Sequence, residues 1–207
     1  MLSGKETIVA CSSPPGRGAV SIIRLSGDKA VSIIKKITNN RPKKKISIIK
    51  FPLDVGLNEK CVLTIFKAPN SYTGEDVVEI STHGNPYIVE RVIEKCLNSG
   101  AKLAKPGEFT LRAYLNNKLS LDQSEAVIEV INANSKASLI AAQNSLDGGL
   151  KEKISSVQEK LRETRILVET LIDFVDEDAN VYIEDVISKI EDFKSFFKSF
   201  SEDMKTY

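Results

Sequence analysis

The sequence of 207 residues has few of the side chains that build metal sites and disulfide frameworks. It contains a single histidine, His83, and three widely spaced cysteines, Cys11, Cys61 and Cys96. No two cysteines have the spacing of zinc ligands, and three are too few for a disulfide framework. We therefore expect no metal site, interpret the cysteines as core or neutral positions, and expect a reducing, cytoplasmic environment.

Long apolar runs and an excess charge are also lacking. The apolar runs are a few residues long, well short of the ~20 that span a bilayer, and residues 1–6 carry no apolar signal core. We expect neither a membrane span nor a secretory or transit peptide. The formal net charge of +1 argues neither for nor against a nucleic-acid partner.

The small net charge conceals two parts of opposite sign. Residues 1–118 hold 19 Lys and Arg against 10 Asp and Glu, a balance of +9, whereas residues 119–207 hold 10 against 18, a balance of −8. All seven prolines and nine of the eleven glycines lie in the first part. Because proline is expelled from helix interiors, we predict a turn-rich basic domain over 1–118 and a long-helix acidic domain over 119–207.

The first part alternates strand-like and helix-like patterns. Strands are predicted over 7–12, 20–26, 46–49, 61–67 and 76–83, and helices over 28–37 and 86–97, the second with proline in its first turn. This alternation predicts an α/β or α+β layer with a mixed sheet, followed by helices, and α+β is the fold class we expect for the chain.

The second part has a helical period throughout. Helices are predicted from Ser120 to about residue 133, from Ser135 onward, and from 183 to about 200, and Gly148-Gly149 is expected to kink the chain. A heptad seam favours a helix–helix core. Its members are Leu150, Ile154, Val157, Leu161, Thr164, Val168, Leu171 and Val175.

Each of two predicted strands places a single charged side chain among apolar neighbours. Arg24 shares a strand face with Val20 and Ile22, and Glu79 shares one with Val77 and Ser81. Because a lone buried charge is costly, these side chains are either paired with each other, exposed at a sheet edge, or kept as the polar floor of a small-molecule site.

Other candidate motifs are weaker. His83 is either a structural cap or a catalytic residue, and Gly16-Arg17-Gly18 is either a tight turn or an anion-binding loop. Neither the phosphate-binding loop G-x-x-x-x-G-K-[ST] nor the dinucleotide fingerprint G-x-G-x-x-G occurs in the sequence.

Several blocks of residues, in order, resemble one family. They are Thr7-Ile8-Val9-Ala10, Pro14-Pro15-Gly16-Arg17-Gly18-Ala19-Val20, Ile23-Arg24-Leu25-Ser26-Gly27, Pro69-Asn70-Ser71-Tyr72-Thr73-Gly74-Glu75-Asp76 with Glu79 and His83-Gly84, Lys105-Pro106-Gly107-Glu108-Phe109-Thr110 with Arg112-Ala113, Leu115-Asn116-Asn117-Lys118 with the following residues to Ala126, Asn144-Ser145-Leu146, and Ile172-Asp173-Phe174 with Asp176-Glu177. On these blocks the chain resembles the MnmE (TrmE) family of tRNA modification GTPases over roughly residues 5–180.

The resemblance implies a folate-binding, homodimer-forming N-terminal domain and the first part of a helical domain. In the family, the whole enzyme acts with the FAD protein MnmG on tRNA, installing an aminomethyl-type group at carbon 5 of the wobble uridine. The one-carbon unit comes from a methylene-folate, and the cofactor expected here is a tetrahydrofolate derivative in the 5-formyl or 5,10-methylene form. GTP, potassium and magnesium belong to the full-length family protein.

Carried over by position, the family's folate contacts fall on Arg24, Glu79 and Lys118. A carboxylate such as Glu79 suits the amidine-like donor edge of a pterin, and Arg24 and Lys118 suit its carbonyl or the glutamate carboxylates. The family's C-terminal Cys-x-Gly-Lys segment does not occur in this sequence.

We therefore expect the chain by itself to bind folate and self-associate without catalysing a reaction. The alternatives are a purely structural dimerisation and partner-docking module without a working folate pocket, and a tRNA-contacting surface on the basic part.

Overall fold

The structure, a computed structural model, describes residues 6–39, 45–173 and 179–204. It divides into two compact units, Met1–Ser120 and Leu121–Tyr207. Residues 40–44, the seam residue Val175 and the family residues Phe174, Asp176 and Glu177 lie outside the described residues.

The described part of the first unit is built on a six-stranded mixed sheet. The strands follow the order β3-β4-β5-β2-β1-β6, and all neighbours are antiparallel except β1 and β6, which are parallel. The bounds are β1 Ile8–Cys11, β2 Gly18–Ser26, β3 Ile46–Asp54, β4 Leu57–Phe66, β5 Val77–Gly84 and β6 Lys102–Leu103.

Two helices, α1 (Ala30–Thr38) and α2 (Pro86–Asn98), complete the core with one face of this sheet. α2 begins as predicted: Pro86 occupies its first turn, and the side chain of the preceding Asn85 accepts a hydrogen bond from the backbone N–H of Tyr87 at 2.9 Å. Buried side chains of both helices meet those of β2, β5 and the β3–β4 hairpin, so the opposite face of the central strands lies outside this core.

Strand alternation places the two singled-out charges on that opposite face. Ile23 and Leu25 in β2, and Val78 and Ile80 in β5, are each 0% exposed in the core. Because successive side chains of a strand point to opposite faces, the intervening Arg24 and Glu79 lie on the other side of the sheet.

The β3–β4 hairpin is longer than the strands predicted over 46–49 and 61–67. β3 continues through Pro52 to Asp54, although proline cannot donate to a strand ladder. The sheet tolerates it because β3 is an edge strand with a neighbour on one side only.

Two short elements have no counterpart among the predicted ones. The strand β6 has two residues, too few for a pattern, and the helix α3 (Glu108–Leu115) follows directly on Pro106-Gly107. Gly107 adopts a left-handed conformation (φ 74°) immediately before α3, so a segment that reads as a loop is in fact the helix entry.

The second unit is all helical in its described part. Its helices are α4 (Leu121–Asn132), α5 (Lys136–Leu146), α6 (Gly149–Asp173) and α7 (Ala179–Met204). α5 opens, as predicted, at Ser135, which forms a reciprocal capping box with Ser138. With the mixed sheet of the first unit, these helices confirm the α+β class.

Two predictions for the helical unit need correction. Gly148 has a φ of +88° and separates α5 from α6, so it ends a helix instead of kinking one. The predicted seam is only partly covered, since Ile154 is 43% and Leu161 53% exposed. α6 packs on α7 through contacts such as the Lys160 ammonium over the Phe196 ring at 4.8 Å. No helix in the described ranges is long and apolar enough to cross a membrane.

Candidate ligand site on the open face of the sheet

The centre of the candidate site is a cross-strand pair of opposite charges. In the β2–β5 register Arg24 lies directly opposite Glu79. The Arg24 Nε–H donates to Glu79 Oε1 at 2.9 Å, and Nη2 lies 2.7 Å from the same oxygen. The side chains are 24% and 22% exposed, so the pair is neither buried in the core nor fully solvated. The ion pair considered from the sequence is therefore present.

The geometry of this pair leaves binding capacity on both partners. Both contacts converge on Glu79 Oε1, and Arg24 and Glu79 have no further hydrogen bond within the described residues. Glu79 Oε2 thus remains open as an acceptor and Arg24 Nη1 as a donor. Together these open groups are complementary to a planar ligand that carries both donors and an acceptor.

Two aromatic rings frame the guanidinium of Arg24. Its Cζ lies 5.3 Å from the centroid of Tyr72 and 5.6 Å from that of Phe109. Cation–π contacts at these distances hold the guanidinium in place and shield it from water, which strengthens its remaining hydrogen bonds. Tyr72 is itself held by a hydrogen bond of 2.9 Å between its hydroxyl and that of Thr110 on α3.

A polar network fixes the loop 69–76 that carries Tyr72. The Ser26 hydroxyl donates to Glu75 at 2.7 Å and lies 2.6 Å from the Thr73 hydroxyl. The Asn116 side-chain amide donates to the Thr73 carbonyl at 2.7 Å. The loop is therefore attached both to the end of β2 and to the segment that follows α3.

Arg112 completes this network from α3. It contacts Glu75 at 3.1 Å and Glu108 at 3.0 Å, and donates to the Glu6 carbonyl at 2.9 Å. Its side chain is 10% exposed. A guanidinium this buried is stable only with its charge and donors matched, and here two carboxylates and a carbonyl match them.

Lys118, the third predicted residue, lies beside the same loop. Its backbone N–H donates to the Ala113 carbonyl at 2.8 Å, and its side chain is exposed and runs past Gly74. A Cβ built on Gly74 would lie 3.2 Å from Lys118 Cγ. Arg24 and Glu79 are thus in contact with each other, whereas Lys118 lies beside Gly74 and, among the described residues, forms no hydrogen bond or ion pair with either.

His83 lies away from this centre, at the end of β5. Its Nδ1 is 2.7 Å from Oε1 of the buried Glu59, and its backbone N–H donates to the same oxygen at 2.9 Å. Glu59 thereby supplies an acceptor where the β4–β5 ladder ends, which matches the structural alternative for this histidine. Within the described ranges no three His, Cys, Asp or Glu side chains are grouped to hold a metal ion.

Known protein families match almost the whole chain. A sequence model described as the GTP-binding protein TrmE N-terminus matches residues 7–118, more than half of the chain. The chain belongs to the MnmE (TrmE) family of tRNA modification GTPases. A second model, the MnmE helical domain, matches residues 121–206.

Curated MnmE proteins agree with this assignment. The tRNA modification GTPase MnmE of Francisella tularensis subsp. novicida (strain U112) is 46% identical over 182 residues, which are 87% of this chain and 40% of that protein. MnmE of Francisella philomiragia subsp. philomiragia is 44% identical over the same length. The chain thus spans about 40% of the length of these MnmE relatives.

The TrmE match contains the entire site described above. Sequence reasoning singles out Arg24, Glu79 and Lys118 but gives no role to the residues that surround them. Tyr72 and Phe109 stand within the quoted family blocks, yet nothing in a single sequence shows that two rings 37 positions apart meet over one guanidinium.

Proposed function

We propose that the first unit of this MnmE-family chain binds a tetrahydrofolate derivative, in the 5-formyl or 5,10-methylene form, at Arg24, Glu79 and Lys118. The observation that carries the proposal is the Arg24–Glu79 pair, which keeps an open donor, Nη1, and an open acceptor, Oε2, beside the rings of Tyr72 and Phe109. The Arg24 and Glu79 part of the site is preorganised, because these two side chains hold each other and two rings hold Arg24.

The chemistry of a reduced pterin is complementary to the open groups of Arg24 and Glu79. Its 2-amino group and N3–H are donors, which a carboxylate such as Glu79 accepts, and its 4-oxo group is an acceptor for the Arg24 guanidinium. Lys118, exposed and on a flexible stem, suits the carboxylates of the folate's glutamate tail. The bound folate supplies a one-carbon unit, and the role of the three residues is to bind and orient it.

Replacing Lys118 by methionine tests the third contact. The variant keeps the aliphatic stem beside Gly74 and removes the charge, so binding of 5-formyltetrahydrofolate should weaken by about five- to tenfold. The matched control is Lys36→Met, an exposed lysine on α1 across the sheet, which should bind as the wild type. Equal affinity in both variants would remove Lys118 from the site.

The second part of the proposal is homodimerisation through the open face of the sheet. Across the sheet, Ile22 pairs with Ser81, Ser81 with Val62, and Val62 with Ile48, so these residues share the face of Arg24 and Glu79. Ile48 is 68% and Val62 38% exposed. Apolar side chains clustered on an otherwise ordered face are typical of a surface that another protein covers, and the family resemblance favours a second copy of the chain.

Charge insertion tests the dimer. Ile48→Asp should shift the sedimentation equilibrium toward monomer, because an aspartate buried at an interface loses its hydration without a partner. Val55→Asp is the control, since Val55 is fully exposed in the turn of the same hairpin. If Ile48→Asp remains as dimeric as Val55→Asp, this face is not the interface.

The third part concerns the whole protein. We infer that this chain provides the folate-binding and dimerisation portion of a cytoplasmic tRNA-modifying GTPase that acts with an MnmG-type FAD protein at carbon 5 of the wobble uridine. GTP, potassium and magnesium would act in that whole protein, since no phosphate-binding loop occurs in this sequence.

A chimera tests that assignment. In the chimera, residues 1–120 of this chain replace the matching segment of the F. tularensis subsp. novicida MnmE. In a strain that lacks its own MnmE, the chimera should restore the modified uridine in the tRNA. The same chimera carrying Glu79→Gln should restore a smaller fraction of the modified uridine. A stable chimera that restores nothing would contradict the assignment.

A further inference from the structure

A second concave site lies on the opposite side of the sheet from Arg24 and Glu79. It is a cavity of about 640 Å³ between the β1–β2 loop and α2. This volume falls within the range of small-molecule sites in proteins. Its floor includes Ser21 of β2, whose side chain points to the helix-covered face because it shares the parity of the buried Ile23.

The walls of the cavity are apolar and come from two elements. Pro14 and Pro15 form the wall on the loop side, and Val89, Ile93 and Leu97 form the wall on α2. The three α2 side chains are only half-buried, although they also pack against the core. Two facing apolar walls favour a flat apolar body between them.

Ser21 provides an independent indication of a ligand. The residue is only 4% exposed, lines the cavity, and has no hydrogen-bond partner for its hydroxyl within the described residues. This oxygen is not among the fully buried, unsatisfied side-chain atoms of the described residues, so it faces the open space of the cavity. The nearby Ser13 hydroxyl is, by contrast, already engaged, since it accepts from the Ile22 N–H at 3.2 Å. Ser21 is therefore the polar group on the floor that is open to a ligand.

The rim of the cavity carries negative charge. Glu90 and Glu94 line it from α2. Glu94 forms an ion pair with Arg91, whereas Glu90 is exposed and has no ion pair among the described residues. The rim thus favours a cation.

We infer that this cavity binds a small amine with a flat, apolar aromatic body: the body lies between the prolines and α2, a polar atom of the ring bonds Ser21, and the ammonium group meets Glu90. The site is separate from the proposed folate site, because it lies across the sheet and uses none of the same residues. Its ligand class follows from apolar walls, one open hydroxyl and a carboxylate rim.

Three indole probes of similar size separate these features. Tryptamine carries the ammonium group, tryptophol replaces it by a neutral hydroxyl, and indole-3-acetate replaces it by an anion. Titrated into the ¹⁵N-labelled chain, tryptamine should give saturable amide shifts confined to the β1–β2 loop, β2 and α2. Its dissociation constant should be about threefold or more below that of tryptophol, and indole-3-acetate should bind most weakly.

Two conservative substitutions test the contacts assigned to Ser21 and Glu90. Ser21→Ala should weaken tryptamine binding about threefold or more, since the indole N–H loses its acceptor. Glu90→Gln should bring tryptamine to the affinity of tryptophol, whereas Glu152→Gln, an exposed carboxylate on α6, should change nothing.

Cys11 gives a readout that needs no NMR assignment. It lines the cavity and is half-buried, while Cys61 and Cys96 are 2% and 0% exposed. Bound tryptamine should slow alkylation of Cys11 in proportion to its occupancy. Shifts that map elsewhere, an absence of saturation at about 10 mM tryptamine, or equal binding of tryptamine and tryptophol would each overturn the inference.

Discussion

Replacing Arg112 by methionine should destabilise the first unit, because it removes the charge that holds the loop 69–76 against α3. Arg112 lies 3.1 Å from a carboxylate oxygen of Glu75 and 3.0 Å from one of Glu108, with its side chain 10% exposed. Methionine retains much of the apolar stem, so the loss is mainly one of charge and hydrogen bonds.

The expected loss of stability follows from the Glu75 carboxylate that loses its charged partner. The Glu75 side chain is 13% exposed in the intact pair, and without Arg112 it keeps the Ser26 hydroxyl as its remaining side-chain donor. Removing one partner of a fully buried pair costs about 3–5 kcal/mol. Because about a tenth of each side chain still reaches solvent, we expect about 2–4 kcal/mol. Arg165→Met is the matched control, and should cost less than about 1 kcal/mol, since its pair with Glu169 is 75% and 53% exposed.

Native-state hydrogen exchange is the suitable assay, because the chain has two compact units that need not unfold together. The free energy of opening should fall in peptides from β2 and β5 and stay unchanged in α5. Adding Glu75→Gln to Arg112→Met should recover part of the loss by removing the unpaired charge. The reasoning fails if Arg112→Met costs no more than Arg165→Met, or if the second substitution recovers nothing.

Two further predictions concern thiols and glycines. Burial raises the pKa of Cys61 and of Cys96 to about 12. At about pH 8 both thiols are therefore almost entirely protonated, and iodoacetamide should modify Cys11 first. Equal modification rates for the three thiols, measured by mass spectrometry, would contradict this. Gly74→Ala and Gly56→Ala both place alanine at a left-handed φ, +76° and +79°, which should cost about 1 kcal/mol in each. Gly74→Ala should cost more, because its Cβ would lie 3.2 Å from Asn116 Cβ and from Lys118 Cγ, whereas Gly56 has open space. Only Gly74→Ala should also weaken binding of 5-formyltetrahydrofolate, since its methyl group would displace the side chain of Lys118; equal affinities in a fluorescence titration would argue against that displacement.

The central strands can be predicted from the sequence because their pattern is strictly periodic. Alternation in β2 and β5 is enough to separate Arg24 and Glu79 from the core-facing side chains, and the observed register sets the two charges opposite each other. What alternation does not give is the pairing itself, because residues 55 positions apart meet only through tertiary packing.

The surroundings of the pair cannot be predicted for the same reason. Tyr72 and Phe109 come from a loop and from a helix that follows Pro106-Gly107, a dipeptide that reads as a turn. Nothing in the sequence shows that Arg112 is buried against two carboxylates and the Glu6 carbonyl. Short elements without periodicity, such as β6, leave no signal in a single sequence.

The helical unit illustrates the opposite case. Its period is easily recognised, and three helices are predicted where the structure has four, because Gly148 divides the second into α5 and α6. The same pattern also predicts a covered seam, yet Ile154 and Leu161 remain about half-exposed. A heptad pattern indicates that a face is apolar, but it does not tell which element covers that face.

The most direct test of the folate site is calorimetric titration of this chain with 5-formyltetrahydrofolate, carried out on the wild type and on Glu79→Gln. The amide keeps the size of the side chain but loses its charge and one acceptor oxygen. We expect saturable binding by the wild type and a loss of about tenfold or more in the variant, with Glu90→Gln, an exposed carboxylate on the other side of the sheet, unchanged. Equal binding by Glu79→Gln and the wild type, or no binding by a folded wild-type chain, would contradict the account.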